Sequence, residues 1–373
     1  MPVYLDHNAT THLDPRVLEA MVGVLSGPSA NASSLHRYGR IARDAVEHAR
    51  TQVAALVGCL PQEIVWTSGG TEANNLALKG ITADAAPAAV LYGATDHPAV
   101  MEAAESLRAR GWRVEPVAVT RDGLVDWPAF EAQLKGGPVR LVSIMRANNE
   151  TGVIQDVARA ATLVHDAGAL LHVDCVQAAG KIPIDIDALG CDLMSLSSHK
   201  IYGPKGAGAL VVRSHVELHA VQHGGAQERG LRGGTENVAA IVGFGAAAEL
   251  AVAELDARTA HLRPLRDRLE AGLKSRGDIV IFGDGQPRVP NTLQFAVRGW
   301  DGEALLMALD RKGFGVSSGS ACASGSGEPS HVLLAMGFDR VTAKGAIRVS
   351  FGKANTEADV DAFLAALRAI CPA

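Results

Sequence analysis

Cys322 is the residue whose surroundings most clearly suggest chemistry. It lies in the stretch VSSGSACASGSGEPSHVL, residues 316–333, in which serine, glycine and alanine predominate. A structural cysteine usually packs among apolar residues, because a thiol behaves as a small hydrophobe. This cysteine lacks such neighbours in the sequence, and Pro329 then predicts the start of a helix. The stretch alone leaves two interpretations open, a surface loop with an incidental thiol and a loop that carries a reactive one.

Polar residues also follow two apolar runs that read as strands. In DLMSLSSHKIYGPKGAGALVV, Ser197, His199 and Lys200 follow one run, and in ALLHVDCVQAAGK, Asp174 and Gln177 follow another. A lysine in such a place is either an ordinary solvated cation or an amine that bonds covalently to a carbonyl cofactor. The aspartate is either a helix cap or the partner of a cationic group.

The segment IVWTSGGTEANNLALKG predicts a strand, a turn at Gly69, Gly70 and Thr71, and a helix. Glycines allow a ligand to approach closely, and a helix N-terminus offers unbonded N–H groups to a phosphate. No Gly-Lys-Ser/Thr follows, and the dinucleotide pattern G-x-G-x-x-G is missing. A phosphate cradle and a simply capped helix therefore both remain open at this point.

The elements that must position these residues alternate along the chain. Strand-like runs cover residues 64–68, 88–95, 139–145, 169–174, 192–197 and 208–213, and amphipathic helical patterns follow several of them. This alternation predicts an α/β fold with a mostly parallel, doubly wound sheet. We expect a large domain over residues 14–256 and a smaller α+β domain over residues 257–373 together with 1–13. Ligands bind at the carboxyl ends of strands in such sheets, which is where the polar residues fall.

Composition excludes several classes of function. The net charge is −5 and no basic run stands out among the 373 residues, so we expect no direct nucleic-acid partner. No apolar run of ~18 residues predicts a membrane span, and no signal peptide is visible, so we expect a cytoplasmic protein. None of the five cysteines forms a C-x-x-C pair and H-E-x-x-H is missing, which argues against a self-contained zinc or iron–sulfur site.

One cofactor would use the polar residues together. Pyridoxal 5′-phosphate needs a phosphate cradle, a lysine that bonds to its aldehyde, an acid opposite the pyridine nitrogen and a group that stacks on the ring. Gly70–Thr71, Lys200, Asp174 and His97 of TDHPAV meet these needs in turn.

Several motifs carry a specific resemblance. They occur in order between Tyr4 and about Gly352: YLDHNATT, NASSLHRYGR, TSGGTEANN, NNETGVIQ, HVDCVQAAGKIPID, SSHKIYGPKGAGAL, QERGLRGGTEN, SSGSACASGSGEPSHVLLAMG and IRVSFG. The chain resembles the NifS/IscS-like cysteine desulfurases, which belong to the class-V aminotransferase group of fold-type-I pyridoxal-phosphate enzymes. The resemblance implies that fold and a homodimer.

The resemblance also implies roles for individual residues around the cofactor. It makes Lys200 the cofactor-bonding lysine, Asp174 the partner of the pyridinium, Gln177 the contact to the ring hydroxyl and His97 the stacking base. The implied cradle for the phosphate consists of Gly70, Thr71, Ser197 and His199, with Thr235 of RGGTEN reaching across from a second subunit. Asn149 matches a contact to both cofactor and substrate, and Arg348 a contact to the substrate carboxylate.

The activity implied by the resemblance is removal of sulfur from L-cysteine, which yields alanine and a persulfide on Cys322. The persulfide sulfur would pass to an acceptor protein, and an iron–sulfur scaffold, a tRNA-thiolation relay and a DNA-sulfur pathway all remain open. Cys322 could share an iron–sulfur cluster with such a scaffold. Cys175 places a second thiol beside Asp174, but it follows a buried strand, so we expect it to be packed and inert. A selenocysteine lyase or an aminotransferase would use Lys200 and Asp174 equally well. A redox sensor or sulfur carrier without cofactor chemistry is a further alternative, which the intact Lys200 disfavours.

Overall fold

The computed structural model describes residues 2–28, 30–318 and 328–372, so Cys322 and its glycine-rich stretch lie outside the described residues. The thirteen strands of the described part are β1 Val3–Tyr4, β2 Ile64–Thr67, β3 Ala89–Gly93, β4 Arg113–Val117, β5 Val139–Met145, β6 Leu170–Asp174, β7 Leu193–Ser197, β8 Gly208–Val212, β9 Ile279–Ile281, β10 Thr292–Val297, β11 Phe314–Gly315, β12 Ser317–Ser318 and β13 Ala346–Ser350. Its α-helices are α1 Pro15–Leu25, α2 Arg37–Val57, α3 Gly70–Ile81, α4 Pro98–Glu105, α5 Trp127–Leu134, α6 Val157–Asp166, α7 Ile186–Leu189, α8 Val238–Ala253, α9 Leu255–Lys274, α10 Gly302–Arg311, α11 His331–Ala335, α12 Arg340–Lys344 and α13 Glu357–Ile370. Short 3₁₀ helices span Pro61–Glu63, Ser106–Arg110, Ser198–Lys200 and Gln227–Gly230.

A seven-stranded sheet forms the centre of the larger unit. Its order is β2-β8-β7-β6-β5-β3-β4, and all neighbours are parallel except the two pairs that involve β8. The six strands predicted from apolar runs are all present, and the mostly parallel arrangement is confirmed. Strand β4 is not apparent in the sequence, because RVEPV carries charged residues and a proline. These residues are tolerated because β4 lies at the edge of the sheet.

Helices cover both faces of this sheet. Successive strand residues point to opposite faces, so that Leu91 and Val211 enter one hydrophobic core and Val90 and Leu210 enter the other. The first core is completed by residues of α1, α2, α6, α7 and α8, and the second by residues of α3 and α4. Burial on both faces explains why the strands read as continuous apolar runs.

Helix α8 is rich in apolar residues, and it packs against α1 and α2. No single helix in the described ranges is long and apolar enough to cross a membrane. Only α8 and α9 taken together pass that test, and they are bent by 73° at their junction.

A smaller unit follows α8. Strands β12, β13, β10 and β9 form an antiparallel sheet in that order, and β1 pairs in parallel with β11. Leu5 lies in the same hydrophobic core as residues of α9, α10 and α13, so the N-terminal segment packs with the C-terminal part of the chain. The division into residues 14–256 and residues 257–373 with 1–13 stays a prediction. Helix α11 begins at His331, with Ser330 as its N-cap, slightly later than Pro329 suggested.

Candidate active site

A cavity of about 320 Å³ lies where the carboxyl ends of the parallel strands meet the N-terminal segment. Ten residues predicted for the site line it: Gly70, Thr71, His97, Asn149, Asp174, Gln177, Ser197, His199, Lys200 and Arg348. Thr235 is exposed and does not line this cavity in its own chain. Cys322 cannot be placed, since it lies outside the described residues. The sequence therefore predicted most of the side chains that the fold brings together.

Asp174 is the last residue of β6 and is buried. Its Oδ1 accepts a hydrogen bond of 2.9 Å from the amide of Val176, and its Oδ2 accepts one of 2.8 Å from Nδ2 of Asn74 on α3. Both bonds hold the carboxylate in one orientation at the floor of the cavity. Asp174 thus accepts a local backbone hydrogen bond, as a cap would, and also lines the cavity, as the partner of a cationic group would. Both interpretations from the sequence therefore apply.

Lys200 ends the 3₁₀ helix that follows β7. Its Nζ donates hydrogen bonds of 2.5 Å to the carbonyl oxygen of Asn8 and of 2.8 Å to that of Ala9. The amine is half-buried and lines the cavity, so it is not an ordinary surface cation.

The start of α3 forms one end of the cavity. Its first helical hydrogen bond joins the amide of Ala73 to the carbonyl of Gly69, and no side chain caps the helix. The preceding amides are thus left for a ligand, as helix N-termini leave them generally. A Cβ at Gly70 would lie 2.8 Å from Cγ2 of Val176, so a larger residue would push into the site. These features favour the phosphate cradle over a simply capped helix.

Ser197 and His199 flank the same end. The buried Oγ of Ser197 has no hydrogen-bond partner among the described residues, which is unusual for a buried hydroxyl and marks a place for an acceptor or donor from a ligand. The ring of His199 contacts Oγ1 of Thr10 at 3.1 Å. Burial and the nearby positive charges of Lys200, Lys205 and Lys181 lower the pKa of His199 to about 4.

His97 is the N-cap of α4. Its Nδ1 accepts a hydrogen bond of 3.1 Å from the amide of Ala99, so Nδ1 carries no proton and Nε2 is the protonated nitrogen of the neutral ring. Burial lowers the pKa of His97, against the opposing effect of Asp174, while Lys200 and His331 lower it further. A neutral imidazole whose tautomer is fixed suits both stacking and proton transfer.

Arg348 reaches the cavity from β13 of the smaller unit, and its side chain is 2% exposed. One terminal nitrogen, Nη2, lies 2.7 Å from Oδ1 of Asp6, and the other donates to the carbonyl of Asn149 at 3.0 Å. Its Nε has no partner among the described residues. The guanidinium is therefore held in place from two sides at the edge of the cavity.

Four further residues that shape the site were not assigned roles from the sequence. Asn8, Asn74, Lys181 and Asp6 all lie within the quoted motifs YLDHNATT, TSGGTEANN and HVDCVQAAGKIPID. Their contacts join distant parts of the chain, as in the hydrogen bond of 2.9 Å from Nζ of Lys181 to Oδ1 of Asn8. The motifs themselves were the signal that could have identified them.

The four described cysteines are poor candidates for a reactive thiol. Cys175, Cys191 and Cys371 are buried, and Cys59 is half-buried. Burial raises the pKa of Cys59 and of Cys191 to about 12 and that of Cys371 to about 11, and it raises the pKa of Cys175 as well. The expectation that Cys175 is packed is confirmed, since it lies in the core next to the sheet and does not line the cavity.

The described residues fit pyridoxal phosphate. The uncapped start of α3 and the unpartnered Oγ of Ser197 suit its phosphate, the carboxylate of Asp174 suits a protonated ring nitrogen, and the amine of Lys200 suits its aldehyde. No cluster of histidine, cysteine and acidic residues that could hold a metal ion occurs in the part of the chain that the structure describes.

Fold and site together define an α/β enzyme of the aminotransferase type. The model of the aminotransferase class-V family matches residues 3–363, so the chain belongs to that family. The chain is similar to the cysteine desulfurase of Gluconacetobacter diazotrophicus, with 46% identity over 97% of this chain and 91% of the relative.

Solved structures show the same relationship. A NifS-like protein from Rickettsia africae matches with a TM-score of 0.90 and 35% identity over 99% of both chains. The protein SspA, solved in complex with cysteine, matches with a TM-score of 0.82 and 30% identity over 93% of this chain and 98% of that chain. The family and fold inferred from the motifs are thus confirmed.

Proposed function

We propose that the protein is a pyridoxal-phosphate-dependent cysteine desulfurase, which converts L-cysteine to L-alanine and transfers the sulfur to a thiol of its own. The observation that carries the proposal is the convergence of three groups on one cavity: the amine of Lys200, the carboxylate of Asp174 and the uncapped N-terminus of α3. The relatives named cysteine desulfurase and the neighbour solved with cysteine support L-cysteine as the substrate.

The cofactor, when bound, supplies an electron sink for the pair of electrons released at the substrate Cα. The negative charge of Asp174 would keep the ring nitrogen protonated, and Gly70, Thr71, Ser197 and His199 would hold the phosphate. The amine of Lys200 would hold the cofactor through its aldehyde and, when not so engaged, would take the proton from the substrate Cα.

The remaining polar groups hold the substrate and move protons. The guanidinium of Arg348 binds the substrate carboxylate, for which its planar fork is suited, and Asn149 assists it. The neutral ring of His97 exchanges a proton at Nε2 with the substrate, because Nδ1 is engaged by the backbone of α4.

Cys322 receives the sulfur in this proposal. Its thiolate attacks the sulfur of the substrate, so that an S–S bond forms as the C–S bond of cysteine breaks and the electron pair of that bond stays with the carbon skeleton. A proton added at Cβ and a proton returned to Cα then complete alanine, and Cys322 is left as a persulfide. A thiolate is required, and the raised pKa values of the four described cysteines make them poor substitutes.

The proposal extends to the partners of the protein. Thr235 is exposed and does not line the cavity of its own chain, which is compatible with completion of the site of a second copy in a homodimer. The persulfide sulfur would pass to an acceptor protein of iron–sulfur cluster assembly or tRNA thiolation, in the cytoplasm.

Borohydride reduction of the protein reconstituted with the cofactor tests the proposal. Reduction followed by peptide mapping should place the pyridoxyl group on Lys200, and incubation with L-cysteine and dithiothreitol should release alanine and sulfide in equal amounts. Lys200→Ala should abolish both results, whereas Lys205→Ala, in the exposed turn that follows, should abolish neither. A pyridoxyl group on another lysine, or alanine without sulfide, would contradict the proposal.

A further inference from the structure

Lys181 is a buried amine for which the proposed chemistry has no use. It lies seven residues after the end of β6 and is 8% exposed. Its Nζ donates hydrogen bonds of 2.9 Å to Oδ1 of Asn8 and of 2.5 Å to Oε1 of Gln177. No carboxylate pairs with it among the described residues, although a buried cation usually requires one. Burial of an amine without a paired carboxylate costs free energy, which suggests that Lys181 has a function.

Both acceptors of Lys181 belong to the wall of the cavity. The carbonyl oxygen of Asn8 accepts hydrogen bonds from Nζ of Lys200, at 2.5 Å, and from Nε2 of Gln177, at 2.9 Å. Lys181 thus binds the side chain of Asn8, and the main-chain carbonyl of Asn8 binds Lys200. The four residues form one connected network at the base of the cavity.

The network also fixes the orientation of the amide of Gln177. An amide side chain has an accepting end and a donating end, and hydrogen-bond partners decide which end points where. Because Oε1 of Gln177 accepts from Lys181, its Nε2 is the end that donates to the carbonyl of Asn8, and Gln177 lines the cavity. A ligand oxygen with negative charge next to this amide would therefore meet a donor and not an acceptor.

We propose that Lys181 is a positioning residue, which orients the donating end of Gln177 toward the ring oxygen of the cofactor and holds the Asn8 carbonyl against Lys200. This inference rests on the proposed function, because it assigns Gln177 to the ring oxygen of pyridoxal phosphate. Lys181 itself need not touch the cofactor, and it does not line the cavity.

The charges that face Lys181 come from several elements. Lys200 and Arg348 lie close enough to lower the pKa of Lys181, as does its burial, and Lys181 in turn lowers the pKa of His7 and of His199. Because any of these groups could alter the titration of the bound cofactor, the test must separate the effect of the Gln177 contact from that of a general loss of positive charge.

The pH titration of the absorbance of the bound cofactor provides that test. Lys181→Met removes both hydrogen bonds and frees Gln177 to turn its oxygen toward the ring. The negative ring oxygen of the cofactor then lacks the hydrogen bond from Gln177. The proton that this oxygen shares with the Lys200 nitrogen should therefore be bound more tightly. We expect the midpoint of the titration to rise by about one pH unit, a tenfold change in the protonation equilibrium. The dissociation constant of the cofactor, measured by dialysis, should rise as well.

A double-mutant cycle identifies the route of the effect. Gln177→Leu alone should raise the midpoint, and Lys181→Met should add little in that background, since the contact it orients is already gone. Lys205→Met, which removes an exposed lysine near the same site, should leave the midpoint unchanged.

The outcomes distinguish failure of the proposed function from failure of the inference about Lys181. A wild-type protein that binds no pyridoxal phosphate overturns the proposed function and this inference with it. A wild-type protein that binds the cofactor, combined with additive shifts in the cycle or an equal shift in Lys205→Met, overturns the inference alone. If Lys181→Met does not fold, an unshifted midpoint in Gln177→Leu still overturns it.

Discussion

The side-chain amide of Asn74 donates a hydrogen bond of 2.8 Å to Oδ2 of Asp174, and both residues are buried. The bond links α3, whose first turn forms the proposed phosphate end of the cavity, to the carboxylate proposed to face the ring nitrogen. Asn74 therefore couples the positions of the two ends of the cofactor site.

Replacement of Asn74 by alanine should weaken binding of pyridoxal phosphate. A hydrogen bond to a charged group contributes about 1.5–3 kcal/mol, so we expect the dissociation constant to rise roughly tenfold or more. Titration of the cofactor-free protein with pyridoxal phosphate, followed by absorbance, measures the change. Asn75→Ala is the matched control, because the Asn75 amide donates to the Thr71 carbonyl in the same helix and, among the described residues, not to Asp174. Equal affinities of the two variants would show that Asp174 does not need Asn74.

Several residues of the site that could be predicted from the sequence lie at the ends of strands. Asp174 and Ser197 are the last residues of β6 and β7, Lys200 follows β7 by three residues, and the carboxyl ends of parallel strands meet at one edge of a sheet. A local pattern is enough to place them together. Apolar runs predict six of the seven strands of the sheet but not β4, whose edge position permits polar residues that hide its pattern.

The residues that were missed reach the site through contacts between distant parts of the chain. Asp6 is placed by its bridge to Ser350, and Asn8 by hydrogen bonds to residues such as Thr292 and Lys181. No periodicity in the first ten residues indicates that Asn8 and Ala9 line a cavity together with residues more than a hundred positions further along the chain. Lys181 is buried and bonds to Asn8 of the N-terminal segment, a contact that the sequence does not reveal.

The protein should become less stable as the pH is lowered, because His172 titrates at a lower pH in the folded state than in the unfolded state. This ring is fully buried between Oγ of Ser143, at 2.8 Å, and Oγ of Ser195, at 2.9 Å, and burial lowers its pKa from 6.5 to about 4. Between those pH values the unfolded chain binds a proton at His172 that the folded chain does not. The free energy of unfolding therefore decreases, as pH falls from 6.5 to 4, by about 1.4 kcal/mol per pH unit for this ring.

Urea unfolding between pH 4 and pH 7 tests this expectation. His172→Gln should be less stable than the wild type at pH 7 but should lose stability less steeply below pH 6.5. Val173→Ala, in the same strand and equally buried, should lower stability by a constant amount with the slope of the wild type. A slope in His172→Gln as steep as that of the wild type would show that the acid sensitivity comes from other groups, such as His7 and His199, whose pKa values are also lowered to about 4.

Replacement of Arg348 by lysine should raise KM for cysteine without changing the absorbance spectrum of the bound cofactor. The guanidinium reaches Asp6 and the Asn149 carbonyl at the same time, which an ammonium group on a shorter stem cannot do. With the fork lost, we expect KM to rise about tenfold or more. Arg311→Lys, at the exposed end of α10, controls for the loss of a guanidinium elsewhere. Unchanged cysteine kinetics in Arg348→Lys would assign the carboxylate to a different residue.

Replacement of Cys322 and of Cys175 should separate sulfur transfer from cofactor chemistry. Cys322→Ser should still bind the cofactor and change its absorbance when cysteine is added, yet it should release little sulfide and form no persulfide.

Cys175→Ala should retain most of the activity, because this thiol is fully buried in the core and burial raises its pKa, so that it is neither a thiolate nor accessible to substrate. We expect it to lose about 1 kcal/mol of stability, as is typical of a buried substitution. Mass spectrometry of protein treated with cysteine detects the added sulfur, and sulfide assays measure turnover. Persulfide formation that survives in Cys322→Ser and disappears in Cys175→Ala would overturn the assignment of Cys322.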